Sequence, residues 1–441
     1  MKTNLFMALA FAFLMLFAAC TKEKIIYVEK ENGIEVLPGE GVIKISLSND
    51  LQTKAARPIG SSEAANNVNM IKFSFINSSG SEVSIGVEIE GAYDSQGEKL
   101  GGFSVATDDQ SILILPDDNT DKDFSVKFKS LPDPGSYAII AYGYNCVDGY
   151  GFAYTRTIGT DDSPRYFKCS GISTDGVEEI FAGYCIRKNA SSGEENRFIS
   201  INQYKMFSEE VSVTITRQVA GLMAYLCNVP ASIDNQSVDK ITISTPAKMG
   251  GFIFPASILD EDEDYNGIDF SQTDVDLLTF TIKDHNDGED SKGYYIFNKN
   301  AADGKKFLLA DGMDADDFTN LKCKDNTLFG SCFLLPYSDH MSFTSVNGYG
   351  DKTTLYLTYY TKGDDVSNYT KIKSVRLKNS NQSYSELDYD ILCNHFYSVG
   401  GKTDVETTTD DDPLDISDET GYVDVFLTIN DEWDNTLNLI K

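Results

Sequence analysis

The sequence is short of the residues that most active sites need. Among 441 residues there are three histidines, His285, His340 and His395, and no two stand at the HxxxH spacing of a metal-binding helix. No GxSxG turn is present, so the usual exposed nucleophile of an α/β hydrolase is missing. The cysteines form no CxxC pair, which argues against a structural zinc site. Lysine and arginine number 37 against 68 aspartates and glutamates, a net charge of −31, and such a surface repels phosphate backbones. Nucleic acid is therefore not expected as a partner. Carboxylates are so plentiful that a glycosidase pair could be picked anywhere, so their presence identifies none. Tryptophan occurs once, which weighs against an aromatic glycan-binding platform, although tyrosine is abundant at 24. No catalytic residue, cofactor or metal is expected.

Long apolar runs are also absent beyond the N-terminal segment. There, Lys2 precedes an apolar stretch from Leu5 to Ala19, shorter than the roughly 20 residues that span a bilayer as a helix. The small pair Ala18-Ala19 directly precedes Cys20. A basic start, a short apolar core and small residues before a cut are the marks of an export signal. With cysteine next, the segment resembles a lipobox, with Phe17 where leucine is more usual. Residues 1–19 then read as a lipoprotein signal peptide and Cys20 as the acylated new N-terminus, holding the chain to a membrane by lipid. A mature chain of about 420 residues exceeds the size at which one core stops growing, so two domains are expected.

The rest of the chain alternates apolar and polar residues two by two. Ile43, Ile45 and Leu47 alternate with Lys44, Ser46 and Ser48; similar runs are Phe73–Ile76, Ile112–Leu115, Phe124–Phe128, Val211–Ile215, Leu355–Tyr360 and Lys373–Leu377. Asp, Asn, Ser and Gly clusters separate them, as turns do. The pattern predicts an all-β chain of two tandem antiparallel β-sandwiches. One helix is allowed for, over Gln218–Leu226. A polar stretch at Met206–Glu210 puts the junction between residues 207 and 208. Residues 20–57 then form a charged tether with the first strand, residues 58–207 the first sandwich and residues 208–441 the second. Gly400–Thr420 reads as a flexible acidic connection, followed by a last strand from Tyr422 to Ile429.

Two smaller features bear on chemistry. Eight cysteines less Cys20 leave seven, which cannot all pair within one chain; Cys323 and Cys332 are close enough in sequence to close a short loop. Asp262-x-Asp264-x-Asn266-Gly267 matches the first half of a calcium loop, but its twelfth position is Thr273 instead of the bidentate glutamate. An acidic solvent loop is the expected state of residues 260–267.

Three groups of residues in one order resemble the fimbrillins, the type V pilin superfamily of Bacteroidetes. The first is Val42–Leu47, followed by Lys54-Ala55-Ala56-Arg57 and Asn69–Phe75. The second is Val211–Ile215 with Arg217-Gln218-Val219-Ala220. The third is Asn394-His395-Phe396-Tyr397, followed by the acidic spacer and Asn430-Asp431-Glu432-Trp433. The resemblance implies two transthyretin-like sandwiches and a structural subunit of a cell-surface fimbria that supports adhesion. It implies export as a lipoprotein, cleavage after Arg57 by a trypsin-like protease, and loss of the lipid with the first strand. Ile43, Ile45 and Leu47 would fill a groove first, and Val423, Val425, Leu427 and Ile429 of a neighbouring subunit's residues 422–441 would refill it. The partners would be other fimbrillin subunits, in a homo- or heteropolymer, and the places the outer membrane and the extracellular fimbrium. Arg57 is followed by Pro58, a bond such proteases cut poorly. A lipid-retaining anchor subunit and a surface glycan-binding lipoprotein are the alternatives.

Mass analysis of the N-terminus of the protein on cells distinguishes these fates. An acylated Cys20 is expected on the exported precursor and on a retained anchor; a start at Pro58 is expected on a processed subunit.

Overall fold

In a computed structural model of the chain the alternating runs are strands, and none of the described residues is helical. The residues described are 29–31, 33–47, 69–116, 123–144, 155–159, 166–170, 180–188, 195–245, 248–249, 251–254, 270–271, 275–300, 304–313, 321–334, 355–363, 368–379, 391–402, 407–417 and 425–430. We number the principal strands in chain order. Those of the first half are β1 Glu29–Glu31, β2 Ile34–Val36, β3 Gly41–Leu47, β4 Met70–Asn77, β5 Glu88–Tyr93, β6 Ile112–Ile114, β7 Asp123–Ser130, β8 Gly135–Tyr144, β9 Phe181–Tyr184 and β10 Val211–Arg217. Those of the second half are β11 Ala220–Cys227, β12 Lys240–Thr245, β13 Val275–Thr281, β14 Thr327–Leu334, β15 Tyr356–Lys362, β16 Tyr369–Asn379, β17 Phe396–Val399 and β18 Val425–Asn430.

The first half runs β5-β7-β3-β10 and then β9-β8-β4-β6 along one hydrogen-bonded path. Strands β10 and β9 share only the pairs Arg217↔Phe181 and Thr216↔Ala182, so the path turns a corner there. The two runs of four face each other. Phe73 and Phe75 of β4 meet Phe128 of β7 edge-on, with ring centroids 5.2 and 5.9 Å apart. Ile43, Ile45, Val126, Ile139, Val213 and Ile215 complete this core. The second half runs β13-β12-β15-β16, then β18, then β17-β11-β14. Its own core holds Leu222, Leu226, Ile241, Ile243, Phe280, Leu328, Leu357 and Tyr397.

Four expectations change. Val211, Val213 and Ile215 point into the first core, because their alternate positions along β10 all face it. The structure therefore carries the first sheet past residue 207 to Arg217, and the second core begins at Ala220. Gln218–Leu226, the one stretch where a helix was allowed for, is a strand from Ala220 onward. The run Ala220–Leu226 is buried along its whole length, with Leu222 and Leu226 in one apolar cluster and Met223 and Tyr225 in another. A strand buried on both faces reads as a continuous apolar run and loses the alternation that would identify it. The sheets are mixed: β3 pairs parallel to β10, and β11 parallel to β17.

The acidic connection is the fourth. Gly401 and Asp412 form an antiparallel bridge, Leu414-Asp415 pair parallel to Leu226-Cys227, and Ile416 is buried. Gly400, at φ +85°, comes so close to the backbone of Tyr225 that a side chain there would strike its carbonyl. What holds this segment is a buried polar cluster. Lys402 Nζ lies 3.0 Å from Asp411 Oδ1, with both side chains at most 1% exposed. The Tyr225 hydroxyl donates to Asp411 Oδ2 at 2.9 Å and accepts from the Lys324 amide at 2.7 Å. Lys402 also donates to the Thr407 carbonyl at 2.9 Å, and Lys324 Nζ to the Asp411 carbonyl. The buried charges of Lys402 and Asp411 are paired with each other and further hydrogen-bonded, the condition under which buried ions are tolerated.

A second polar contact joins the two halves. Arg217, 1% exposed, lies 4.9 Å from the Phe181 ring centroid and donates to Asn394 Oδ1 at 3.1 Å. Asn394 sits at φ +58° and its amide donates to the Val219 carbonyl. Gln218 Nε2 donates to the carbonyls of Ala182 and Thr216. Residues of the second and third sequence groups thus meet at the junction of the sandwiches. Cys323 and Cys332 are free thiols, so the short loop is not closed; burial pushes each up to about 12.

Asp411→Ala is expected to cost about 3–5 kcal/mol, because it leaves the Lys402 ammonium buried without its counter-ion. Thermal or urea unfolding of the variant measures this loss.

Candidate functional site

Strand β3 is an interior strand. On one side it pairs antiparallel with β7 from Gly41↔Phe128 to Ser46↔Asp123. On the other it pairs parallel with β10 from Val211↔Ile43 to Ile215↔Leu47. Both neighbours depend on it for their ladder hydrogen bonds, and an unfilled interior position would expose two strand edges at once. Its side chains divide by parity. Gly41, Ile43, Ile45 and Leu47 face the core, the last three at most 3% exposed. Val42, Lys44 and Ser46 face outward: Lys44 pairs with Glu210, and the Ser46 hydroxyl donates to Asp123 Oδ1 at 2.7 Å. An open depression of about 440 Å³ lies over this outer face, lined by Lys44, Ser46, Ser95, Asp123, Ser125 and Thr214 among others.

The segment before β3 is docked too, where a charged tether without pattern was expected. β1 and β2 form a hairpin, Glu29↔Val36 to Glu31↔Ile34. Ile34 and Val36 are buried in a small cluster with Val42 and Met206, on the opposite face of β3 from the main core. The hairpin turn at Gly33, φ +78°, sits against the turn at Gln96-Gly97 so tightly that a Cβ on Gly33 would lie 2.8 Å from the Gln96 carbonyl oxygen. Between hairpin and strand, the Gly39 amide donates to the Tyr204 carbonyl and the Leu131 amide to the Gly39 carbonyl.

One ionic group ties this segment to its neighbours. Lys127 Nζ of β7 lies 3.1 Å from Glu40 and 3.0 Å from Glu90, and the Tyr93 hydroxyl donates to Glu90 at 2.7 Å. Burial pushes the Glu90 carboxyl up, but hydrogen bonds from Tyr93 and Lys127 and the nearby positive charge more than reverse this, leaving it below its ordinary value of 4.5. Burial lowers Lys127, and its two glutamates outweigh that, leaving it above its ordinary 10.5. A depressed carboxylate stabilises the fold above its unfolded value and stops doing so as pH falls through the folded one. A raised lysine does so below 10.5 and stops as pH rises past its folded value. The clasp therefore holds at neutral pH and loosens in acid. The partial exposure of these groups keeps the effect small.

At the other end of the chain, β18 is also an interior strand. Val425–Leu427 pair parallel with Leu377–Asn379 of β16, and Thr428–Asn430 antiparallel with Phe396–Ser398 of β17. It joins the two runs of strands in the second half. Of the residues singled out in the sequence, Ile43, Ile45 and Leu47 lie together in the first core, and Val425, Leu427 and Ile429 lie along β18. Cys20, Arg57, Val423 and the acidic loop at 260–267 lie outside the described residues. His395 is placed by its ring, Nδ1 being 2.9 Å from the Cys393 carbonyl, and its own carbonyl accepts from the Gly221 amide. Sequence reasoning missed the hairpin, the Glu40–Lys127–Glu90 clasp and Gly41. Only the short alternation Ile34-Glu35-Val36 and the run Gly39-Glu40-Gly41 hinted at them.

No protein-family model matches the chain, and no curated protein does. Solved structures align along most of it. A candidate cell adhesion protein from Bacteroides uniformis is 10% identical, with a TM-score of 0.29 over 90% of this chain and 98% of its own. A candidate adhesin from Bacteroides thetaiotaomicron is 10% identical, with a TM-score of 0.33 over 89% and 96%. The fimbrial anchor protein from Porphyromonas gingivalis is 10% identical, with a TM-score of 0.27 over 81% and 90%. TM-scores of this size do not by themselves establish a shared fold.

Ile45→Ala removes a core side chain from β3 and is expected to cost about 2–5 kcal/mol. Hydrogen exchange followed by mass spectrometry should show the loss first in β3 and β7. The same amides are expected to lose some protection in the intact protein as pH falls from neutrality through the depressed Glu90 value and Glu90 is protonated.

Proposed function

We propose that this chain is a structural subunit of a cell-surface fimbria that supports adhesion, assembled by exchange of its first strand. The observation that carries this reading is the position of β3. It is a short interior strand near the N-terminus, joined to the rest of its sandwich by a segment, residues 48–69, that contains Arg57. One cut in that segment would turn β3 into a separate insert between β7 and β10. Loss of the insert would leave two unpaired edges and the apolar seats of Ile43, Ile45 and Leu47. Burying three such side chains is worth about 1.5–3 kcal/mol each, before ordering costs. A vacancy of that kind drives addition of a strand from another molecule. A head-to-tail contact that does not close on itself grows into a fibre.

On this reading the lipid on Cys20 delivers the precursor to the outer membrane, and cutting at Arg57 releases it from the lipid. The two sandwiches would be transthyretin-like. The alternative, an anchor subunit that keeps lipid and first strand, draws on two specific features. The Arg57-Pro58 bond resists trypsin-like proteases, and the β1–β2 hairpin with the Glu40–Lys127–Glu90 clasp adds to what must be displaced.

Digesting the purified mature protein with an arginine-specific protease and imaging it by electron microscopy tests the reading. Fibres are expected after cleavage and not before, and deletion of residues 422–441 should abolish them. Fibres from the deletion variant would remove the tail as donor; an uncut, monomeric protein with cells still bearing it through Cys20 would favour the anchor.

A further inference from the structure

One end of the first sandwich differs from the rest of its surface. β3 runs parallel to β10 and antiparallel to β7, so Gly41, Val211 and Phe128 lie at one end and Leu47 and Ile215 at the other. From the second end β10 continues to Arg217, which meets Asn394 of the second half. The first end lies away from that junction and is made of the loops at 37–40, 84–87, 131–134 and 202–206. Glu88 pairs with Ser130, which brings the second and third of these side by side. The Gly39 amide donates to the Tyr204 carbonyl at 2.9 Å, and the Leu131 amide to the Gly39 carbonyl at 3.0 Å. A Cβ on Gly86 would lie 3.7 Å from the Leu131 carbonyl oxygen.

Among the described residues four large apolar side chains are exposed, Leu37, Ile85, Tyr204 and Leu392, and the first three stand in these joined loops. Ile85 is 87% exposed. A single exposed apolar residue is ordinary, whereas several together mark a contact surface. Pro38 and Pro134 are exposed beside them and have no amide hydrogen to leave bare in an apolar medium. Charge is balanced here too. In a chain of net charge −31 these loops carry only Glu40, Asp133 and Lys205. Asp133 pairs with Lys205 at 2.7 Å and Glu40 with Lys127 at 3.1 Å.

The chain enters the sandwich at this same end. Glu29 of β1 pairs with Val36, directly before Leu37. Cys20 stands nine positions before Glu29, a reach of about 30 Å at full extension.

We propose that this loop end is a lipid-contacting surface, with Leu37, Ile85 and Tyr204 resting in the headgroup–acyl boundary of the bilayer that holds the lipid on Cys20. This rests on the reading of Cys20 as acylated and goes beyond it by giving the tethered chain one face toward the membrane. A tether of that length keeps this end at high effective concentration beside the bilayer, so a modest apolar contact is enough to seat it. Leucine and isoleucine gain by leaving water. Tyrosine suits the boundary, with its ring in the apolar layer and its hydroxyl in the wet one. Paired charges spare the end the cost of a bare charge in that layer, and the repulsion that anionic headgroups exert on the acidic remainder of the chain. The second sandwich, joined at the opposite end through Arg217 and Asn394, is then held away from the bilayer.

The test uses the full acylated chain, its lipid verified by mass, in phosphatidylcholine vesicles with and without brominated acyl chains. Ile85→Trp, Tyr204→Trp and, as a remote control, Gln236→Trp are compared with the parent chain, whose single tryptophan is Trp433. All three positions are exposed, so the fold should tolerate them. Brominated lipid should quench the first two variants severalfold more strongly than the third, with little change on adding phosphatidylglycerol or high salt. Adding Ile85→Asp to Tyr204→Trp should weaken the quenching severalfold, and Ile85→Leu should preserve it. Equal quenching at all three positions, or none, on a chain that bears its lipid would overturn the proposal and leave lipidation standing. Quenching that needs phosphatidylglycerol and disappears in high salt would replace the apolar contact by an electrostatic one and overturn it as well. If Ile85→Trp in a Cys20→Ser chain shifts its emission to the blue with rising protein concentration and no vesicles, the end belongs to a second copy and the proposal falls. A chain that carries no lipid on Cys20 and stays off the vesicles would remove the proposal and the lipoprotein reading together.

Discussion

The first sandwich depends on the hydrogen bonds that β3 makes to both sides. Among the described residues no ladder joins β7 to β10 directly; each runs to β3 from its own side. An interior strand contributes more than its own side chains. It satisfies the backbone groups of two neighbours, and each such group left bare inside a protein is costly. The core of the first sandwich follows from this pairing. Ile43 and Ile45 stand on β3, Val126 and Phe128 on β7, Val213 and Ile215 on β10, and all share one core with the Phe73 and Phe75 rings across the layer. Loss of the β3 pairing would therefore be felt by β7 and β10 at once.

The second sandwich has the same dependence at the other terminus. β18 joins β16 to β17, so its first and last halves hold different strands together. The segment leading to it is fixed by the Lys402–Asp411–Tyr225–Lys324 cluster and can be followed as far as Ser417 among the described residues. Both ends of the chain thus supply an interior strand, β3 to the first sheet path and β18 to the second.

Much of the fold could be read from alternation. β3, β4, β7, β10 and β15 each carry apolar residues that recur at every second place and face a core. β11 escaped, since a strand buried on both faces looks like any short apolar run. The junction was misplaced because β10 belongs in sequence beside β11 but in space beside β3, a parallel pairing of residues as distant as Ile43 and Val211 that no local pattern reveals. The acidic spacer looked flexible because its composition is polar. The single buried aspartate that orders it, Asp411, differs in no local way from Asp410 and Asp412. Of the candidate site, the alternating residues of β3 were legible, whereas Gly41, Glu40 and the hairpin were not. Their importance lies in what stands opposite them: Leu131 and Phe207, Lys127, and the turn at Gln96-Gly97.

The most direct measurement is hydrogen exchange on β7 and β10 before and after the segment between β3 and β4 is cut and the N-terminal fragment is removed. If β3 fills a position that another strand can fill, amides of Asp123–Ser130 and Val211–Arg217 lose protection on its removal and regain it as the protein polymerises, while β12 and β15 stay protected throughout. Protection of β7 and β10 that is unchanged by removal of β3, or that never returns on assembly, would contradict the account.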